Sequence, residues 1–172
     1  MARGYRRRGT TLEKVGKVQA TMFARPRRGP PMSYETLDPA AARARLEGDA
    51  WIYLDVRTVE EYEPGHVPGA YNVPIGFRGA QGLEPNPEFV ALVQRHFTAD
   101  TRLVVGCAAG IRSARACELL SNAGFTRLAN MDGGFSGRSG PDGALIVEGW
   151  ASRGFPTTAA PVDGRTFAEL SK

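Results

Sequence analysis

Cysteine and histidine are scarce in this 172-residue chain, which has two of each: Cys107, Cys117, His66 and His96. Those numbers and spacings assemble neither a disulfide framework nor a Cys/His zinc site, so no metal is expected and the thiols are expected to stay reduced. Long apolar runs are also missing. The strongest, Leu103 to Ile111, spans nine residues and includes two glycines, well short of the roughly 18 of a membrane helix. Core material is not lacking. With 42% of residues hydrophobic, the chain can bury a core, and its length suits one domain plus tails.

Basic charge is missing from the part of the chain that would need it to grip nucleic acid. The net charge is +4, but residues 1–33 hold nine Arg and Lys against one acid, while the remaining 139 residues hold 13 basic and 17 acidic groups. A +8 leader therefore precedes a −4 body, and neither nucleic acid nor membrane is expected as a partner. Residues 1–32 show no apolar periodicity and end in an Arg/Gly/Pro run, which reads as a basic unstructured leader. An Arg-rich, acid-poor segment suits an organelle transit peptide or a basic arm. The reading preferred here is that translation starts at Met32 and that the protein is cytoplasmic, with organelle targeting as the alternative.

Residues 33–157 carry alternating helix and strand signals. Asp38-Pro39 reads as an N-cap and first-turn proline opening a helix through Ala40–Glu47. Trp51–Val56 is a short aromatic and β-branched strand. Thr58-x-x-Glu61 forms a capping box for a short helix halted at Pro64-Gly65. Ala70–Val73 reads as a second strand. Asn86-Pro87 starts a helix to Phe97 with Phe89, Val90, Val93 and Phe97 on one face. Leu103–Val105 is a buried strand, Ser113–Ala123 a helix closed by Gly124, and Arg127–Met131 a further strand. Apolar strands alternating with helices define an α/β protein with a parallel sheet. Ser136–Gly149 reads as a loop with a turn at Asp142-Gly143, and residues 158–172 as a polar C-terminal tail of marginal structure.

The chemistry concentrates where Leu103-Val-Val-Gly-Cys107-Ala-Ala-Gly-Ile-Arg112-Ser113 runs from strand to helix. Cys107 leaves the C-terminal end of a buried strand, the place where open α/β sheets bind ligands. Ala108, Ala109 and Gly110 are small enough for the backbone to curl and present N–H groups. The helix that follows adds the positive end of its dipole, and Arg112 and Arg115 add charge to its first turn. Together these make an anion cup with sulfur at its base, which favours the nucleophilic thiolate. An inert strand-end cysteine is the alternative for Cys107 taken alone.

At this loop the sequence resembles the rhodanese family. Leu54-Asp55-Val56-Arg57, then Glu61-Tyr62-x3-His66-Val-Pro68-Gly69-Ala70-x-Asn72-Val73-Pro74, resembles the family's N-terminal signature. Cys107-x-x-Gly110-x-Arg112-Ser113 resembles its persulfide loop. Asp132-Gly133-Gly134-Phe135 and Trp150-x4-Gly154-Phe155-Pro156 resemble its C-terminal portion. The resemblance implies a five-stranded, mostly parallel sheet with helices on both faces. It also implies sulfurtransfer through a Cys107 persulfide held by amides of Ala108, Ala109, Gly110, Ile111 and Arg112, with no cofactor. The implied partners are a small anionic sulfur donor, thiosulfate or a persulfide donor, and an acceptor, either cyanide or a thiol (thioredoxin or glutathione), with the protein a monomer or weak dimer. Rhodanese-fold phosphatases and arsenate reductases have five residues between cysteine and arginine and a histidine before the cysteine. Here there are four residues and Gly106, which favours sulfur over phosphorus. A rhodanese-like module that only binds partners is the other alternative. Ser136–Gly149 departs from the family spacing as an insertion.

Among the remaining candidates, Arg57 is read as a substrate contact, with an Asp55–Arg57 ion pair tying down the strand end as an equal alternative. His66 reads as a structural histidine bonded to backbone, and His96 as partly exposed. Cys117 reads as a small core hydrophobe, a resolving thiol being the minority view. Trp51 and Trp150 read as core or core-edge aromatics.

Overall fold

The computed structural model describes residues 34–48 and 50–172; the leader assigned to 1–32 lies outside them. The main sheet has five strands: β1 (Glu35–Leu37), β2 (Ile52–Asp55), β3 (Tyr71–Asn72), β6 (Leu103–Gly106) and β7 (Leu128–Met131). Their order is β1-β7-β6-β2-β3, and every pairing is parallel. The α/β class and the parallel five-stranded sheet are as the sequence and the resemblance led one to expect.

Two apolar layers sandwich this sheet because the inner strands are apolar on both faces. Leu54, Leu103, Val105 and Leu128 point to one face and pack with α3 (Phe89–His96) and α4 (Ile111–Asn122). Tyr53, Val104 and Met131 point to the other, where Ala42 of α1 (Pro39–Gly48), Tyr62 of α2 (Val59–Tyr62) and Trp150 cover them. Asp38 caps α1 as its sequence suggests, its carboxylate accepting the Ala41 N–H at 2.7 Å. Helix α3 starts later than expected, at Phe89. Asn86 is spent on a turn instead, accepting the Glu88 N–H at 3.0 Å and donating to the Pro74 carbonyl at 2.8 Å.

Three parts of the fold left little trace in the sequence pattern. Strand β1 is an edge strand with two exposed residues and one half-buried one, so it carries no apolar run. A hairpin of β4 (Gly76–Gly79) and β5 (Gly82–Pro85) is mostly exposed. The Ser136–Gly149 segment, read from the family spacing as an insertion, folds as a second antiparallel hairpin, β8 (Arg138–Ser139) and β9 (Leu145–Val147).

The expected marginal tail at 158–172 is corrected by the structure. His66 and Thr158 exchange backbone hydrogen bonds at 2.9 and 3.0 Å. The Asn72 N–H donates to the Arg165 carbonyl at 2.9 Å, and the Arg165 guanidinium donates to the Gly69 carbonyl. The segment ends in α5 (Phe167–Leu170), whose Leu170 is only 3% exposed and joins the α3/α4 core. Buried Leu170, half-buried Phe167 and backbone pairing hold a segment of mixed polar and apolar composition.

Candidate active site

Strand β6 lies in the middle of the sheet between β2 and β7, and Cys107 is the first residue beyond its C-terminal end. There is no space for a side chain just before it: a Cβ on Gly106 would lie 1.8 Å from the Tyr53 hydroxyl. Cys107 is 1% exposed, and its Sγ accepts the Gly110 N–H at 3.1 Å. The Ser113 hydroxyl stands 3.4 Å from the same sulfur and 3.1 Å from the Gly110 carbonyl oxygen. Gly110 takes φ +92° as the N-cap of α4, a conformation that L side chains disfavour. The chain thus curls back so that an amide and the first turn of a 12-residue helix face the sulfur.

The outer side of the loop is anchored. The Cys107 carbonyl accepts the Phe135 N–H at 2.7 Å, and the Ala108 carbonyl accepts the Ser136 N–H at 2.8 Å. Because a trans peptide is planar, the N–H groups of Ala108 and Ala109 point away from that turn. Close approach requires glycine at position 134, where φ is +58° and a Cβ would sit 2.3 Å from the Cys107 oxygen. Ile111, the fourth amide of the expected loop, begins α4 with its side chain exposed.

Arg112 is beside the loop, but its charge is not free. Nη1 and Nη2 each donate to one oxygen of Glu61 at 2.7 Å, a bidentate pair. Glu61 also accepts the Thr58 N–H at 3.0 Å, closing the box at the start of α2. Burial pushes the Glu61 carboxyl up, yet the Arg112 hydrogen bonds, the Thr58 amide and the charges of Arg112 and Arg57 outweigh it and hold the group at about 2. Arg115 turns to solvent and pairs with Glu118 at 2.7 Å, so it adds little to the cup. Thr58, Glu61 and Arg112 face Arg78, Gly82 and Leu83 of the β4–β5 hairpin across a cavity of about 290 Å³, roomy enough for a small anion.

Arg57 is corrected as a substrate contact. Its guanidinium is bound to Asp55 at 2.7 Å, with side-chain exposures of 4% and 0%. Its other donors reach the carbonyls of Glu61 at 2.8 Å and Gly65 at 2.9 Å, and its face stacks on Phe135 at 4.1 Å. With the donors so occupied, Arg57 ties the end of β2 to α2 and to the turn that anchors the Cys107 loop. His66 is buried, stacked on Tyr62 at 3.8 Å, with Nδ1 3.1 Å from the Tyr62 carbonyl, as a structural histidine should be. His96 is exposed, its Nε2 2.8 Å from the Leu170 carbonyl oxygen. Cys117 is fully buried, and burial, with the nearby Cys107 and Glu118, pushes its thiol up to about 12; it packs as a hydrophobe. Trp150 is buried and edge-on to Phe155 at 5.3 Å.

Two residues that the motifs contain, Glu61 and Ser113, were given no role in the site by the sequence reading. Glu61 was legible as half of a capping box and as part of the N-terminal signature, and nothing local says that it reaches Arg112 across 51 positions. Ser113 stands three residues after Gly110 on the first turn of α4, a spacing that by itself returns its hydroxyl to the loop.

A buried thiol at the central strand's C-terminal end, followed by a short loop and a helix start, defines an α/β protein with a strand-loop-helix site. Residues 38–139 match the rhodanese-like domain family, and the chain belongs to that family. It is 43% identical over 132 residues to thiosulfate sulfurtransferase 16, chloroplastic, of Arabidopsis thaliana, covering 74% of this chain and 100% of that protein. It is 37% identical over 129 residues to the Arabidopsis thaliana protein HIGH ARSENIC CONTENT 1, mitochondrial, covering 75% of this chain and 69% of that one. The crystal structure of Rv0390 from M. tuberculosis superposes with a TM-score of 0.62 at 24% identity, over 74% of this chain and 100% of that one. That likeness speaks to fold alone. Family and relatives together support a sulfurtransferase-type function.

Proposed function

We propose that this protein transfers sulfane sulfur from thiosulfate to cyanide or a thiol acceptor through a persulfide on Cys107. The observation that carries the reading is the Cys107 sulfur held at the mouth of α4 with the Gly110 N–H directed at it. The Cys107 thiolate attacks the outer sulfur of thiosulfate; the new S–S bond forms as the old one breaks, and sulfite leaves with the electron pair. The acceptor then attacks the outer sulfur of the persulfide and restores the thiolate. Amides and the helix end, already in place before reaction, stabilise the negative charge at each stage. The family likeness and the thiosulfate sulfurtransferase relative support this choice of donor. Thioredoxin or glutathione in the cytoplasm would serve as the thiol acceptor.

Intact mass after thiosulfate treatment tests the proposal. The parent should gain one sulfur atom and Cys107→Ser none. No gain in the parent, or an equal gain in the serine variant, would reject it. A phosphate or arsenate reaction is the second reading, prompted by the relative named for arsenic content. The four-residue spacing from Cys107 to Arg112 and the occupied space at Gly106 weigh against it. Turnover of an aryl phosphate or of arsenate at a rate matching sulfur transfer would reverse the order.

A further inference from the structure

We propose that Arg138, on the inserted β8–β9 hairpin, is a positioning residue for Cys107 and acts through the peptide plane joining Ala109 to Gly110. The inference deepens the reading of Cys107 as nucleophile and rests on it. Among the described residues, Gly110 is the one whose backbone N–H donates to the Cys107 sulfur, at 3.1 Å. The carbonyl of that same peptide unit, on Ala109, accepts from Arg138 Nη1 at 3.4 Å. The peptide is trans, so its C=O and N–H point in opposite directions. Drawing the Ala109 carbonyl outward therefore aims the Gly110 N–H inward at sulfur.

The arginine is itself fixed. Nη1 also donates to Asp132 at 2.8 Å, and this bond, outweighing burial, holds the Asp132 carboxyl below the usual carboxylate range. Asp132 and Gly133 sit directly against the loop: a Cβ on Gly110 would meet the Gly133 nitrogen at 2.9 Å and the Asp132 Cα at 3.0 Å. Clamp and loop are thus built on one turn. A clamp matters here because glycine allows this peptide to rotate cheaply. Gly110 adopts φ +92° and populates negative φ as readily, so an unanchored 109–110 unit can turn its N–H away from the sulfur. A cation on the carbonyl also polarises the amide and strengthens its N–H as a donor. The neighbouring carbonyls, on Cys107 and Ala108, are held by backbone amides of Phe135 and Ser136. The third is held by a side chain that the insertion brings.

The test is the pH dependence of Cys107 alkylation by iodoacetamide in the full chain, mapped by mass, alongside the rate of sulfur uptake from thiosulfate. Losing one directed hydrogen bond to the thiolate should move the alkylation midpoint of Arg138→Ala upward by about half to one pH unit. Sulfur uptake should fall severalfold. Arg138→Lys, which returns the charge and a donor, should recover part of the shift. An unmoved midpoint in folded Arg138→Ala, or equal shifts in the alanine and lysine variants, would overturn the inference. If the alanine variant does not fold, Asp132→Asn carries the test, since it releases the guanidinium while leaving it present; a smaller upward shift supports the clamp and none overturns it. A parent that takes up no sulfur, yet shows the shift in its variants, would reject the sulfurtransferase reading and leave the clamp standing.

Discussion

Replacing Glu61 with glutamine removes one negative charge while keeping an oxygen for the Thr58 amide, so it isolates the ion pair with Arg112. Holding the carboxyl at about 2 instead of the ordinary 4.5 corresponds to at most ~3 kcal/mol at neutral pH. Solvent reaches the pair, whose side chains are 24% and 28% exposed, and screening brings the expected contribution to about 1–2 kcal/mol. The folded-state value is depressed, so the contribution is complete above pH 4.5, where the carboxyl is ionised whether the chain is folded or not. Between pH 4.5 and about 2 the unfolded chain takes up a proton that the folded chain refuses, and the advantage fades. Urea unfolding of parent and Glu61→Gln should therefore differ by about 1–2 kcal/mol at pH 7 and by less than half of that at pH 3. A difference that is the same at both pH values, or absent at pH 7, would refute the pairing argument.

Three other substitutions probe the supports of the loop and the packing of the tail. Gly134→Ala forces a Cβ to within 2.3 Å of the Cys107 carbonyl at φ +58°; it should cost at least ~2 kcal/mol and slow alkylation of Cys107, and a neutral result would mean the turn gives way easily. Asp55→Ala leaves the Arg57 guanidinium buried and uncompensated, which should lower stability by about 3–5 kcal/mol; thermal unfolding close to that of the parent would show that Arg57 finds water or another acceptor. Leu170→Ala should cost about 2–3 kcal/mol because the tail is a packed element. Removal of residues 158–172 should destabilise further, and an unchanged urea midpoint for either change would return the segment to the status of a loose tail.

How much was legible depends on the range over which each signal acts. Strands β2, β6 and β7 announce themselves as apolar runs because both of their faces are buried. The caps at Asp38 and Thr58 are readable because a cap involves residues only three apart. Edge strand β1 and the two hairpins went unread, since exposed backbone pairing places no demand on side-chain hydrophobicity. The tail misled in the opposite direction, its interspersed polar residues hiding Phe167 and Leu170, which pack.

Within the site, the local parts belong to the sequence. Cysteine at a strand end, small residues behind it and a helix start are contiguous, and their geometry follows from chain sterics within a few residues. The charges are another matter. That Arg112 is matched by Glu61, that Arg57 is sealed against Asp55 and Phe135, and that Arg138 reaches Ala109 are contacts set by how strands and turns meet. Electrostatic partners act across space, and only the folded chain determines which charges lie within reach of each other. The sequence by itself determined a thiol between a strand end and a helix start; the tertiary structure decided which cations lie near it and which carboxylates they pair with.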